Sequence, residues 1–116
     1  MKKGLLGSVC LLLIIFVIIQ FIPVDQTNPP VLSDITTEPE VKAVLQALCY
    51  DCHSHETVWP WYSRIAPVSW LVTKDIHKGR DKLNFSMWNQ YDAQAQVKKM
   101  RESLKHVAQG EMPPWF

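Results

Sequence analysis

The sequence predicts an all-α protein, with one N-terminal transmembrane helix followed by a small helical domain. Three observations carry that prediction. Residues 5–22, LLGSVCLLLIIFVIIQFI, hold almost no polar group and no charge. Later segments place apolar side chains at the spacing of one helical face. No strand pairs, repeats or low-complexity runs interrupt this pattern.

Met1-Lys2-Lys3 ahead of the apolar run reads as an export signal or a membrane anchor. Positive residues stay on the cytoplasmic side, so the rest of the chain is translocated. The run from Gly4 to Ile22 reaches the length of about 20 residues that a spanning helix needs. No small-x-small cleavage site follows it, and Cys10 lies inside the run rather than after it. An uncleaved single-span anchor over residues 1–22 is therefore favoured over a cleaved signal. A buried core helix is excluded, because a helix apolar on every face does not suit so small a domain. Translocation places Cys49 and Cys52 outside the cytosol, in the periplasm or beyond, where thiols are not kept reduced.

Residues 23–37 carry Pro23, Pro29, Pro30 and several small polar residues, and read as an extended linker. The domain proper spans residues 38–116. Its first helix opens with Thr37 as N-cap, Pro39 in the first turn and Glu40 at the capping-box position. Val41, Val44, Leu45, Leu48, Cys49 and Cys52 then share one face, so both cysteines sit on the buried side of that helix near its end. Residues 54–66 have no period and read as a loop. A second helix over residues 67–78 turns Val68, Leu71, Val72 and Ile76 inward and stops at Gly79. A third is capped by Asp92, carries the stripe Val97, Met100, Leu104, Val107 and Ala108, and ends at Gly110.

From Asn28 onward the 10 basic and 10 acidic residues cancel, and the whole chain has a net charge of +1. A neutral domain lacks the excess positive charge that phosphate binding needs, so nucleic-acid partners are excluded. A domain this small is marginal by burial alone and leans on a metal, a cofactor or a crosslink.

Cys49-Tyr50-Asp51-Cys52-His53 supports four readings. As CxxCH it is a covalent haem attachment motif: thiols at i and i+3 of a helix add to two vinyl groups along one haem edge, and His53 lies under the iron. A zinc site needs four ligands. Cys49, Cys52 and one of His53 or His55 supply three, and neither His77 nor His106 stands in a paired spacing. A dithiol redox centre expects CxxC at a helix start, whereas this pair follows about ten helical residues. A Cys49–Cys52 disulfide closes only a tiny loop and contributes little. Haem attachment is the favoured reading, with one haem c per chain and His53 as an iron ligand.

The iron's other face needs a second ligand, and methionine is a soft thioether that raises the potential. Met112 lies in Gly110-Glu111-Met112-Pro113-Pro114, a segment stiffened by two prolines and outside any helical face. It is the preferred ligand, with His77 as its rival and a plain hydrophobic anchor as its alternative. Met100 reads as a core residue, His55 as a bystander and His106 as solvated. All five tryptophans follow the CxxCH. Trp59, Trp61 and Trp70 are candidates to line a haem pocket, since flat rings pack well on a macrocycle. Arg64 and Arg80 are candidates to pair with propionates.

The run CYDCHSHETVWPWYSRIAPVSWL, residues 49–71, resembles the bacterial haem-binding domain family built around CxxCH, a broad relative of the c-type cytochromes. The matching features are the motif itself, the HSxET-WPWYS-IAP-SWL pattern and the closing GEMP. The resemblance implies a cytochrome c-like helical fold. It assigns haem attachment to Cys49 and Cys52, the proximal position to His53, and the Met-Pro distal position to Met112. Proteins of this type continue past that segment into a last helix packed on the first. This sequence ends at Phe116, so the resemblance implies either C-terminal truncation or a domain open on that side.

The expected function is one-electron transfer by a membrane-anchored mono-haem protein, with a redox partner protein that the sequence does not identify. No nucleophile–base pair or phosphate loop is present, so no enzymatic turnover is expected. Within the haem class the alternative is a sensor or peroxidase-like protein with an open distal site. Outside it, the alternative is a zinc- or disulfide-stabilised interaction module on the membrane.

Overall fold

The computed structural model describes residues 2–114. It is all-α: five α-helices and two short 3-10 turns, with no strand among the described residues. The helices are α1 (Lys2–Ile19), α2 (Pro39–Leu48), α3 (Tyr50–His53), α4 (Val68–Lys82) and α5 (Ala93–Ala108). The chain divides into two compact units. One joins the residues up to Gln26 with Trp59–Lys74, and the other joins Thr27–Val58 with the chain from Asp75 onward. α4 contributes residues to both.

In the first unit, α1 is long and apolar enough to cross a membrane, and none of its residues is buried. It stops at Ile19, short of the expected Ile22. Gln20 explains the stop: its amide donates to the carbonyls of Phe16 (2.8 Å) and Ala66 (3.2 Å) and accepts from the Ala66 N–H (2.9 Å). The loop after the CxxCH contains a 3-10 turn at Trp61–Arg64. The Gln26 amide donates to Ser63 O and, at 3.4 Å, to Thr73 Oγ1. The buried residues here are Ser63, Ala66, Ser69 and Thr73. The inward face of α4 in this unit is thus Ser69–Thr73, while Val68 and Leu71, expected inside, are exposed. The Thr73 hydroxyl accepts from the Gln26 amide, which leucine cannot do.

The second unit holds the apolar core. Tyr50, Leu83, Phe85 and Trp88 form its centre, and Ile35, Leu45, Cys49, Tyr91 and Met100 pack against it. The rings stack in sequence: Tyr50 on Phe85 (centroids 5.1 Å apart), Phe85 on Trp88 (6.0 Å), and Trp88 edge-on to Tyr91 (5.9 Å). Burying a ring such as Phe85 contributes about 1.5–3 kcal/mol.

α2 begins one residue later than expected, with Glu38 as N-cap and Pro39 in the first helical position. Only Leu45 of α2 reaches the core, while Val41, Val44 and Leu48 are exposed. The expected continuous helix through Cys52 is broken at Cys49, whose backbone (φ −122°, ψ −35°) ends α2 and starts α3. The break coincides with the turn of Tyr50 into the core. α5 starts as expected, with Asp92 Oδ1 accepting from the Ala95 N–H at 2.8 Å. It ends at Gly110, whose φ of 71° suits glycine. There Glu111 N–H donates to His106 O (2.9 Å) and Gly110 N–H to Val107 O (3.0 Å), a Schellman closure. The expected inward stripe of α5 is realised only at Met100. Val97 (59%) and Leu104 (69%) are exposed, as is Val107, because α5 meets the core cluster at one turn.

The segment before α2 is extended but tied down. Leu32 N–H and Ser33 N–H both donate to Ser86 O (3.0 and 3.1 Å), and Ser33 forms a parallel bridge to Met87. Asp34 then locks Tyr50 in place. The Tyr50 hydroxyl donates to Asp34 Oδ1 (2.6 Å), and Lys42 Nζ donates to the Tyr50 hydroxyl (2.6 Å) while pairing with Asp34 Oδ2. Burial alone pushes the Asp34 carboxyl up, but the bonds from Lys42 and Tyr50 outweigh it and hold the carboxyl below its ordinary range. Burial, then the Asp34 contact, pushes the Tyr50 phenol up.

Asp34→Asn is expected to destabilise the second unit by about 1–2 kcal/mol, the scale of a charge-assisted hydrogen bond. A carboxyl with a lowered folded pKa contributes stability above its ordinary value of 3.8, lost as pH falls through the folded value. Urea denaturation of the full chain in detergent, followed by tryptophan fluorescence, should therefore show a gap at pH 7 that closes in acid. Equal stability of wild type and variant at pH 7 contradicts the triad's role.

Candidate functional site

The CxxCH occupies a corner of the second unit. Cys49 lies at the α2–α3 break, Cys52 inside α3, and His53 is the last residue of α3. The N–H groups of Cys52 and His53 both donate to Cys49 O (3.2 and 2.9 Å), which coils the motif into a single tight turn. Both thiols are free and half-buried. Burial pushes the Cys49 thiol up. Burial, then the nearby Asp51 and Asp75 carboxylates, do the same to Cys52. Both remain neutral S–H groups at neutral pH.

His53 is held by the end of α4. Its Nδ1 lies 2.8 Å from Gly79 O and 2.9 Å from Leu83 O. Two carbonyl oxygens are acceptors only, so Nδ1 carries the proton and donates. In the neutral ring the lone pair is then on Nε2, the tautomer a metal ligand needs. The backbone is fixed as well, since Phe85 N–H donates to His53 O at 2.7 Å.

The residues after the motif are tied into the same corner. Ser54 is fully buried, and its hydroxyl donates to Tyr50 O at 2.8 Å. His55 Nδ1 donates to Pro30 O (2.9 Å) and its Nε2 accepts from the Asn84 amide (2.8 Å). Both nitrogens are engaged, so His55 is a structural staple, in keeping with its reading as a bystander. Ser86 Oγ accepts from the His55 N–H (2.8 Å), and Asn84 Oδ1 accepts from the Ser86 N–H (3.0 Å).

Arg80 is held by several acceptors of the protein itself. Its guanidinium donates to Ser54 O (2.8 Å), Thr27 O (3.0 Å), Asn28 Oδ1 (2.9 Å) and Thr57 Oγ1 (2.9 Å). The fork engages the protein's own acceptors and braces the segment around the CxxCH. Arg64, the other candidate, is exposed in the first unit.

Trp59, Trp61 and Trp70 belong to the first unit. Trp61 is exposed, Trp59 and Trp70 are half-buried, and Trp70 Nε1 is a buried donor without a partner among the described residues. Trp115 lies outside the described residues. Met112 sits in the turn after α5, 43% exposed, with its N–H donating to His106 O at 3.3 Å. His106, expected to be solvated, pairs with Glu111 and so fastens that turn. His77 is half-buried in α4.

Sequence reasoning missed Gly79. It was expected to stop a helix, yet α4 runs on to Lys82. A Cβ on residue 79 would lie 2.4 Å from Cys52 O, so only glycine admits the Cys52 backbone there. The signal available was a lone glycine followed by Arg80, Asp81 and Lys82, good or tolerated helix residues.

The donor set fits a haem held at the CxxCH. Two free, half-buried thiols stand in one turn with a histidine fixed in the metal-binding tautomer. Among the described residues no three His, Cys, Asp or Glu side chains converge on one point, so they offer no all-protein metal cage. No curated protein and no solved structure matches the chain. The family model described as "Haem-binding domain" matches residues 14–116, nearly the whole chain. The chain belongs to the haem-binding domain family.

Proposed function

We propose that this chain is a membrane-anchored, mono-haem protein of the c type that passes single electrons at the outer face of the cytoplasmic membrane. The observation that carries the reading is His53. Its Nδ1–H is consumed by two backbone carbonyls, and its Nε2 is left for a metal, beside two free thiols in a chain of the haem-binding domain family.

Each residue has a definite part. Cys49 and Cys52 would hold the haem through two thioether links, each made by adding S–H across a vinyl group with no oxidant consumed. His53 supplies the axial nitrogen, oriented by α4. Bound haem supplies one-electron chemistry at the iron, and the chain tunes it through ligand, burial and hydrogen bonds. The chain turns over no substrate of its own. α1, apolar and without a buried residue, anchors the chain, with Lys2 and Lys3 on the cytoplasmic side. The partner is a redox protein on the far side of that membrane.

Met112 is the proposed second axial ligand, on a turn fastened by the Gly110 closure and the His106–Glu111 pair. Its exposure favours a second reading, in which that face of the iron is open and the protein senses or reduces a small ligand.

The attachment is tested by producing the full chain with a cytochrome c maturation system. One haem-sized mass addition, resistant to acid-acetone extraction, is expected for wild type and absent from Cys49→Ser/Cys52→Ser. Extractable haem in wild type, or retained haem in the double variant, rules out the thioethers. Met112→Ala separates the two readings of the distal face. Loss of the weak long-wavelength band of iron–methionine bonding in the oxidised protein supports ligation, and an unchanged spectrum supports the open face.

A further inference from the structure

We propose that Gly79 is the positioning residue of the haem site: its missing side chain seats α4 against Cys52 and thereby sets the hydrogen bonds that orient His53 and tune its donor strength. The inference rests on His53 being the iron's axial ligand, and it assigns a role to a residue that lies outside the CxxCH motif.

Three observations meet at this residue. First, helix formation does not explain the glycine, because α4 continues beyond it and glycine is among the poorest helix formers. Second, space does explain it. A Cβ at residue 79 would meet Cys52 O at 2.4 Å, Cys52 C at 3.2 Å and Cys52 Cβ at 3.3 Å. The first of these is backbone inside a tight turn and cannot swing away. Third, the same close approach delivers the acceptors. Gly79 O, which also accepts from the Leu83 N–H at 2.9 Å, lies 2.8 Å from His53 Nδ1, and Leu83 O lies 2.9 Å from it. Both carbonyls stand at the C-terminal end of α4, where the helix dipole is negative.

The consequence is electronic as well as geometric. An Nδ1–H that donates to two carbonyls at a negative helix end gives the ring more anionic character and makes Nε2 a stronger donor. A stronger donor favours the oxidised iron and lowers the potential. A side chain at residue 79 pushes the α4 end away from α3, weakens both bonds and reverses the shift.

The test uses the full-length, haem-loaded protein in detergent, comparing wild type, Gly79→Ala and, as a control on the same helix, Lys78→Ala. Lys78 is exposed. Three quantities are read: haem-attached mass, midpoint potential, and exchange of the His53 Nδ1–H in the reduced, diamagnetic protein by NMR. Gly79→Ala is expected to keep the attached mass, raise the potential and speed Nδ1–H exchange at least tenfold, while Lys78→Ala changes none of these. A Gly79→Ala protein with wild-type potential and exchange overturns the proposal. If that variant does not fold, the wild-type measurement still decides: a slowly exchanging Nδ1–H upholds the carbonyl pair, and one exchanging as fast as a free imidazole refutes it. If wild type carries no haem, the haem reading is what has failed. The Gly79 contact is then judged on the unloaded chain, where a histidine Nδ1–H tautomer that Gly79→Ala scrambles upholds it and an unaffected ring overturns it.

Discussion

The backbone of Cys52 and the backbone of α4 approach so closely at Gly79 that no side chain fits between them. That contact fixes where α4 ends relative to α3, and the corner around the CxxCH is built outward from it. The segments on either side, residues 53–57 and 83–87, have little helix of their own. Their buried polar groups must be answered one by one. Phe85 N–H answers His53 O, Ser86 Oγ answers His55 N–H, and Arg80 answers Ser54 O. The result is a rigid frame made of hydrogen bonds rather than of apolar bulk, and His53 is clasped within it.

Apolar packing does a complementary and smaller job. The core of the second unit is four residues deep and largely aromatic. It fixes Tyr50, one of the two residues between the cysteines, through Phe85 on its face and Asp34 and Lys42 on its hydroxyl. With Tyr50 locked inward, Cys49 packs against the edge of that core, and both thiols stay half-buried and free. Apolar side chains on α2 and α5 stay exposed. On the proposed function, a covalently held macrocycle adds apolar bulk to a domain that is marginal without it.

The sequence was legible where a local rule decides the outcome. Asp92 caps α5 and Gly110 closes it because side-chain and backbone geometry at helix ends need no distant partner. The apolar α1 and the CxxCH were visible for the same reason, and the family assignment followed the motifs quoted for it. Periodicity failed where partners are long-range. The faces of α2 and α5 looked like core because a stripe of Val and Leu carries no information about what covers it. The helix break at Cys49 coincides with the stacking of Tyr50 on Phe85, thirty-five residues away in the chain. Gly79 read as a stop signal because its true constraint, the Cys52 carbonyl, lies on another element. The bracing role of Arg80 was hidden in the sequence because its acceptors come from two segments distant from it in the chain.

The central claim is that His53, clasped at Nδ1, offers Nε2 to the iron. Electron–nuclear double resonance on the oxidised, haem-loaded full chain tests it most directly, comparing protein grown with unlabelled histidine and with 15N-histidine. The account predicts a strongly coupled histidine nitrogen that changes with the label, together with a weakly coupled, proton-bearing remote nitrogen from the same ring. A strongly coupled signal set indifferent to the histidine label would contradict it.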